Sequence, residues 1–180
     1  MKPITLGDKH IFALEYVFLD DSRETELSLY INDNNILAFT RDGERYTTRW
    51  NLDDIALWLR DFIDNMTDDP FPGISSAKHA ALMDEEAREF DSDDDDVFDE
   101  YYQKLYEWDS RHCWHGVSNG AILANVFFRQ MNDNVEISWN NTFAESYVEF
   151  VEQCGSALIN KTTFVEIVNK LLKAYAEHWF

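Results

Sequence analysis

Glycine, proline and cysteine are all scarce in this 180-residue chain, at six, three and two residues. There is no Gly-rich phosphate loop, no dinucleotide turn and no G-x-S-x-G nucleophile elbow. Two cysteines, Cys113 and Cys154, cannot build the disulfide framework that staples small secreted domains, and in a cytoplasmic chain they read as two buried thiols. No apolar run approaches the roughly 18 to 20 residues that span a bilayer, and Met1-Lys2-Pro3-Ile4 is not followed by the apolar stretch of a signal peptide. The expected location is therefore cytoplasmic, with no membrane partner. Basic residues are outnumbered as well, 15 Lys and Arg facing 35 Asp and Glu, for a formal net charge of −20. Charge of that size repels phosphate backbones and steers basic partners into encounter, so direct nucleic-acid binding is not expected.

Apolar residues are plentiful. They make up 45% of the chain and aromatics 15%, enough for the packed interior of one domain of ordinary size. Ile11 to Leu19 reads as a strand, as does the alternating Leu27, Leu29 and Ile31. Asn32-Asp33-Asn34-Asn35 and Asp42-Gly43 are hairpin signals, leading to strands at Ile36–Phe39 and Tyr46–Trp50, because these residues tolerate the positive φ of tight turns. Asn51 then caps a helix whose Leu52, Ile55, Leu59, Phe62, Ile63 and Met66 share a face. Pro70 and Pro72 with Gly73 bar its continuation.

The C-terminal part is predicted to repeat this plan. Strands are expected at Ile122–Arg129, Val135–Trp139, Tyr147–Val151 and Ala157–Ile159, then a helix capped at Thr163 with Glu166. Aligning Phe39, Gly43 and Asn51 with Phe150, Gly155 and Thr163 makes the echo concrete, although any two strand-turn-strand-helix segments share such features. The expected fold is α+β, two antiparallel four-stranded sheet-plus-helix halves (1–66 and 116–180) joined by an acidic helical connection (67–115).

Within the connection, Ser75 to Phe90 has a poor apolar stripe and reads as a mobile or partner-ordered segment. Asp91-Ser92-Asp93-Asp94-Asp95-Asp96 should be extended by self-repulsion. From Val97 helical spacing sets in. Phe98, Tyr102 and Tyr106 form one stripe, and Tyr101, Leu105 and Trp108 a neighbouring one, so both cannot easily be buried in one small core.

The chemistry-bearing candidates are few. His112, Cys113 and His115 are good zinc-class ligands, yet no C-x-x-C or H-E-x-x-H spacing accompanies them, and packing or hydrogen bonding is the blander role. Asp91, Asp93 and Asp95 alternate as in a calcium loop, but Asp96 stands at the turn glycine and Tyr102 at the terminal glutamate. No metal site and no cofactor is expected. Glu107 and Asp109 near His112 leave only a remote catalytic option, and no catalytic residue is assigned. The remaining constellation is Asp93, Asp94, Asp95, Asp96, Asp99 and Glu100 with Tyr101, Tyr102 and Trp108. It reads either as a solvated acidic loop beside a core helix or as a partner surface, where carboxylates steer and aromatics anchor.

Trp108 with Arg111-His112, then Val126-Phe127-Phe128-Arg129, then Val135-Glu136-Ile137-Ser138-Trp139 resembles a pattern in uncharacterised bacterial proteins of conflict or defence systems. Ala124-Asn125 departs from it where Pro-Asp is expected, and no catalytic residue carries over. The acidic α+β profile is also similar in type to immunity proteins of bacterial contact-dependent or polymorphic toxin systems. That likeness implies a cognate toxin, basic in character, neutralised by stoichiometric occlusion. A nucleic-acid mimic that blocks a DNA-binding machine shares the electrostatics and is the alternative.

Overall fold

The computed structural model describes residues 2–19, 24–118, 120–142 and 147–179. In chain order they form β1 (Ile4–Asp8), β2 (Phe12–Phe18), β3 (Glu24–Ile31), β4 (Asn34–Asn35), β5 (Ala38–Arg41), β6 (Glu44–Asn51) and α1 (Leu52–Asp64). Then come α2 (Ala80–Ala87), α3 (Asp95–His112), a 3-10 turn (Trp114–Val117), β7 (Val126–Met131), β8 (Asn134–Asn140), β9 (Glu149–Phe150), β10 (Cys154–Asn160) and α4 (Lys161–Trp179). The class is α+β, with two antiparallel sheets. No helix among the described residues is long and apolar enough to cross a membrane.

Local chemistry accounts for the hairpins. Asn32-Asp33 and Asp42-Gly43 are the two-residue connections of β3–β4 and β5–β6, and all four residues have positive φ. That is the twist-matched turn for which Asn, Asp and Gly are suited. Strand partnership differs from the four-plus-four expectation. The first sheet has seven strands, in the order β1-β2-β3-β6-β5-β9 with β4 beside β3, and the second has three, β10-β8-β7. β1 is a largely exposed edge strand, so it lacks the alternation that marks a half-buried one. β9 crosses over to the first sheet, where Phe150 pairs with Phe39. The two phenylalanines aligned as equivalents are thus neighbours in one sheet. Likewise Gly43 sits in a turn but Gly155 in a strand, where the Trp139 ring occupies the space of a Cβ.

The crossover ties the two sheets into one interior. Phe12 stacks on Phe164 at 5.5 Å between centroids, and Phe62 and Phe164 both meet Phe128 at 5.9 Å. One continuous cluster runs from Phe12 and Leu14 through Ile55 and Leu59 to Ile137, Val168 and Leu171. Both long core helices start directly from strands. β6 runs into α1 after Asn51, whose side chain makes no cap hydrogen bond, and β10 runs into α4 after Asn160. Asn160 Oδ1 accepts from the amides of Thr162 (3.0 Å) and Thr163 (3.4 Å), so the cap lies ahead of Thr163.

The segment read as mobile holds α2, packed on β7 and β8 by its small face: Ala80, Ala81 and Ala87 are buried with Asp84. Small residues carry little hydropathy signal, and the helix is held instead by polar caps from the neighbouring strand. Glu136 Oε1 accepts from the Ala80 amide at 2.7 Å, and Ser138 Oγ from the Ala81 amide at 3.1 Å.

Candidate functional site

Helix α3 forms where its sequence supplies both a cap and a dipole match. Asp94 Oδ1 accepts from the amides of Asp96 (3.1 Å) and Val97 (3.3 Å), and Asp95 and Asp96 occupy the first turn, where negative charge is favoured. The acidic run is therefore a capped helix start in its second half rather than a wholly extended loop. Arg111 complements the other end.

The inner face carries Leu105, Trp108 and His112. Trp108 is 1% exposed, wedged edge-on against Phe71 at 4.9 Å and stacked near Phe127. It is a core residue, not the exposed anchor expected. Tyr101 and Tyr102 are half-buried. The Tyr101 hydroxyl donates to the Ala87 carbonyl at 3.0 Å and accepts from the Ile74 amide, while that of Tyr102 lies 2.9 Å from the Arg88 carbonyl and 3.0 Å from that of Phe90. Both hydroxyls thus fasten the end of α2 and are not free for a partner.

The outer face is different. Asp93, Asp94, Asp95, Asp96, Asp99 and Glu100 are all exposed. Beside them stand Val97, Phe98 (37% exposed) and Tyr106 (70%), with the Phe98 ring leaning on that of Tyr102 at 4.6 Å. The stripe at i, i+4 spacing, Phe98–Tyr102–Tyr106, is the one turned outward, and Tyr106 replaces Trp108 as its most accessible aromatic.

The His-Cys-His tail is scattered by the fold. His112 stacks on Trp108 at 4.1 Å with Nδ1 2.8 Å from the Trp108 carbonyl, and burial holds its basicity below the ordinary range. Cys113 is buried, its Sγ donates to Asn125 Oδ1 at 3.0 Å, and burial pushes its thiol pKa well up, whereas Cys154, at the start of β10, is exposed and not the second buried thiol expected. His115 is exposed. Among the described residues no group of three or more His, Cys, Asp or Glu side chains could hold a metal ion.

Arg129, Glu136, Ser138 and Trp108 converge around α2. Arg129 Nη2 bonds Glu136 Oε2 at 2.7 Å and the Lys78 carbonyl at 3.1 Å, with Glu136 only 2% exposed. Ser138 supports Glu136 from the same strand, and Trp108 packs with Phe127. These contacts dock α2 and α3 on the second sheet.

Beside α2, a cleft of about 550 Å³ is lined by Asp84, Glu85, Arg88, His115, Asn125 and Asn140. Arg88 bridges two carboxyl groups there, Asp84 at 2.9 Å and Asp109 at 2.5 Å. Burial, then the neighbouring charge of Asp84, pushes the Asp109 pKa up to about 8, against the pull of Arg88. Nothing in the sequence marked this trio, because Asp84 and Asp109 lie 25 positions apart among many carboxylates. No protein-family model, no curated protein and no solved structure matches this chain.

Proposed function

We propose that the chain is an immunity-type inhibitor that captures a basic protein toxin stoichiometrically and occludes it, acting in the cytoplasm without catalysis. The observation that carries this reading is the outer face of α3, where six exposed carboxylates between Asp93 and Glu100 adjoin exposed Phe98 and Tyr106. Carboxylates steer a basic partner over long range, and aromatic side chains supply the desolvated contacts on which affinity concentrates. The net charge of −20 supports the same partner sign and disfavours direct contact with nucleic acid or an anionic membrane. A toxin whose substrate groove is itself basic, as a nuclease's is, suits this face. A nucleic-acid mimic would instead spread its carboxylates along a surface like phosphates, and the concentration of these in one run favours the toxin reading.

The test compares the natural chain with a variant carrying Asp93→Asn, Asp94→Asn, Asp95→Asn and Asp96→Asn, and with Tyr106→Ala, as baits in lysate of the native cells. The expected prey is one basic protein, captured in equimolar amount. Neutralisation should slow its association by about tenfold at low salt and much less at high salt, whereas Tyr106→Ala should mainly speed dissociation. An association rate and salt dependence untouched by the four substitutions would sink the steering role. Displacement of the prey by duplex DNA would instead support the mimic.

A further inference from the structure

We infer that Asp109 is held as the neutral acid and donates its proton to Asp84, making the Asp84–Asp109–Arg88 trio a proton-dependent latch between α2 and α3. Asp84 is 4% exposed, and its Oδ2 receives Arg88 Nε at 2.9 Å. Arg88 Nη2 reaches Asp109 Oδ2 at 2.5 Å. That leaves one oxygen of each carboxyl, Asp84 Oδ1 and Asp109 Oδ1, sealed from solvent with no donor, on two side chains gathered at the same guanidinium. Two ionised carboxylates cannot hydrogen-bond, whereas an acid and a carboxylate can. One proton between them satisfies both atoms, and the trio is then electrically neutral around a single guanidinium.

Because the free oxygens are sealed, they cannot meet a substrate in the adjoining cleft, so the pair's chemistry is internal. The groups facing it are few. Glu85 of α2 and Glu89 just beyond it line the same cleft, Glu85 accepting from the Asn140 side-chain amide at 2.6 Å. From the end of α3 comes the buried Cys113 thiol, which its surroundings keep protonated, and beyond it the exposed His115 imidazole. None supplies a second cation to offset ionised Asp109.

The two ends of α2 are secured differently. Glu136 and Ser138 hold its first turn on β8, independently of the trio. At its other end Arg88 ties it to Asp109 of α3, Glu86 accepts from Ser75 Oγ and the Ser76 amide, and the carbonyls of Ala87 and Arg88 anchor Tyr101 and Tyr102. Loss of the proton sets two carboxylates against each other in a partly dehydrated space, so the last turn, residues 84–90, opens while the first stays docked. This holds whether or not α3 binds a toxin.

The experiment is a pH titration of the whole chain by ¹³C NMR of the Asp109 carboxyl, with amide hydrogen exchange measured at several pH values. The expected Asp109 midpoint is near 8, far above its ordinary 3.8. Protection of residues 84–90, corrected for intrinsic exchange, should fall by about tenfold between pH 6 and pH 9 while that of α4 holds. Asp109→Asn, whose amide can donate to Asp84 at any pH, should show no such fall. Asp109 ionising in the ordinary carboxylate range would overturn the inference, as would the same fall in protection in Asp109→Asn. Should that variant not fold, the titration of the natural chain decides alone.

Discussion

Replacing Glu136 with Ala should destabilise the protein by roughly 4 kcal/mol. Its carboxylate is 2% exposed and does three things at once. It accepts from the Ala80 amide at the start of α2, it accepts from Ser138 Oγ, and it neutralises Arg129, whose side chain is only 12% exposed. Breaking a buried ion pair from one side costs about 3–5 kcal/mol, mostly because the remaining charge is stranded. Arg129 would keep only the Lys78 carbonyl and the Met83 and Met131 sulfurs. Loss of the helix-cap acceptor adds about 1 kcal/mol, partly overlapping with the first. For a chain of this size, roughly 4 kcal/mol lowers Tm by about 8–16 °C. Urea unfolding followed by far-UV circular dichroism measures it. Glu136→Gln keeps an acceptor and should cost about half as much, roughly 2 kcal/mol. Combining Glu136→Leu with Arg129→Met should recover most of the loss, since an apolar pair of similar volume strands no charge. A Glu136→Ala variant within about 1 kcal/mol of the natural chain would refute the account of how α2 is held, as would a double variant no better than the single.

Trp108→Ala, at the centre of the smaller apolar cluster, should cost about 3–5 kcal/mol, whereas Tyr106→Ala on the exposed stripe should stay within about 0.5 kcal/mol; equal losses in the same urea titrations would overturn the division of α3 into inner and outer faces. Because the Asp109 pKa is raised in the folded state, the folded chain binds more protons between about pH 4 and pH 8, so stability falls as pH rises through that window. With solvent screening, the fall should be roughly 2 kcal/mol and should vanish in Asp109→Asn. Thiol titration of the native protein should find Cys154 reactive and Cys113 protected until the chain is unfolded, since the first is exposed and the second buried with its thiol held protonated. Asp94→Ala should cost about 1 kcal/mol through the lost α3 cap, measurable as a fall in the urea midpoint.

What the sequence determined by itself was local. Turn pairs such as Asn32-Asp33 and Asp42-Gly43 are readable because few residues tolerate positive φ, and the faces of α1 and α4 because their apolar stripes repeat at helical spacing. The acidic half of the candidate site was readable too, since a run of aspartates before a helix has nowhere to be but near solvent. Tertiary structure alone decided which strand pairs with which. Glu149–Phe150 would suit either sheet, and only the folded chain brings Phe150 beside Phe39. It decided as well which aromatic stripe of α3 is buried, because Trp108 meets Phe71 and Phe127 while Tyr106 meets solvent. α2 is the clearest case: it is held by Glu136, Ser138 and Arg129 of the second sheet and by Asp109 of α3, all supplied from other elements. Polar partnership between distant residues leaves no period in a sequence, whereas burial of one face does.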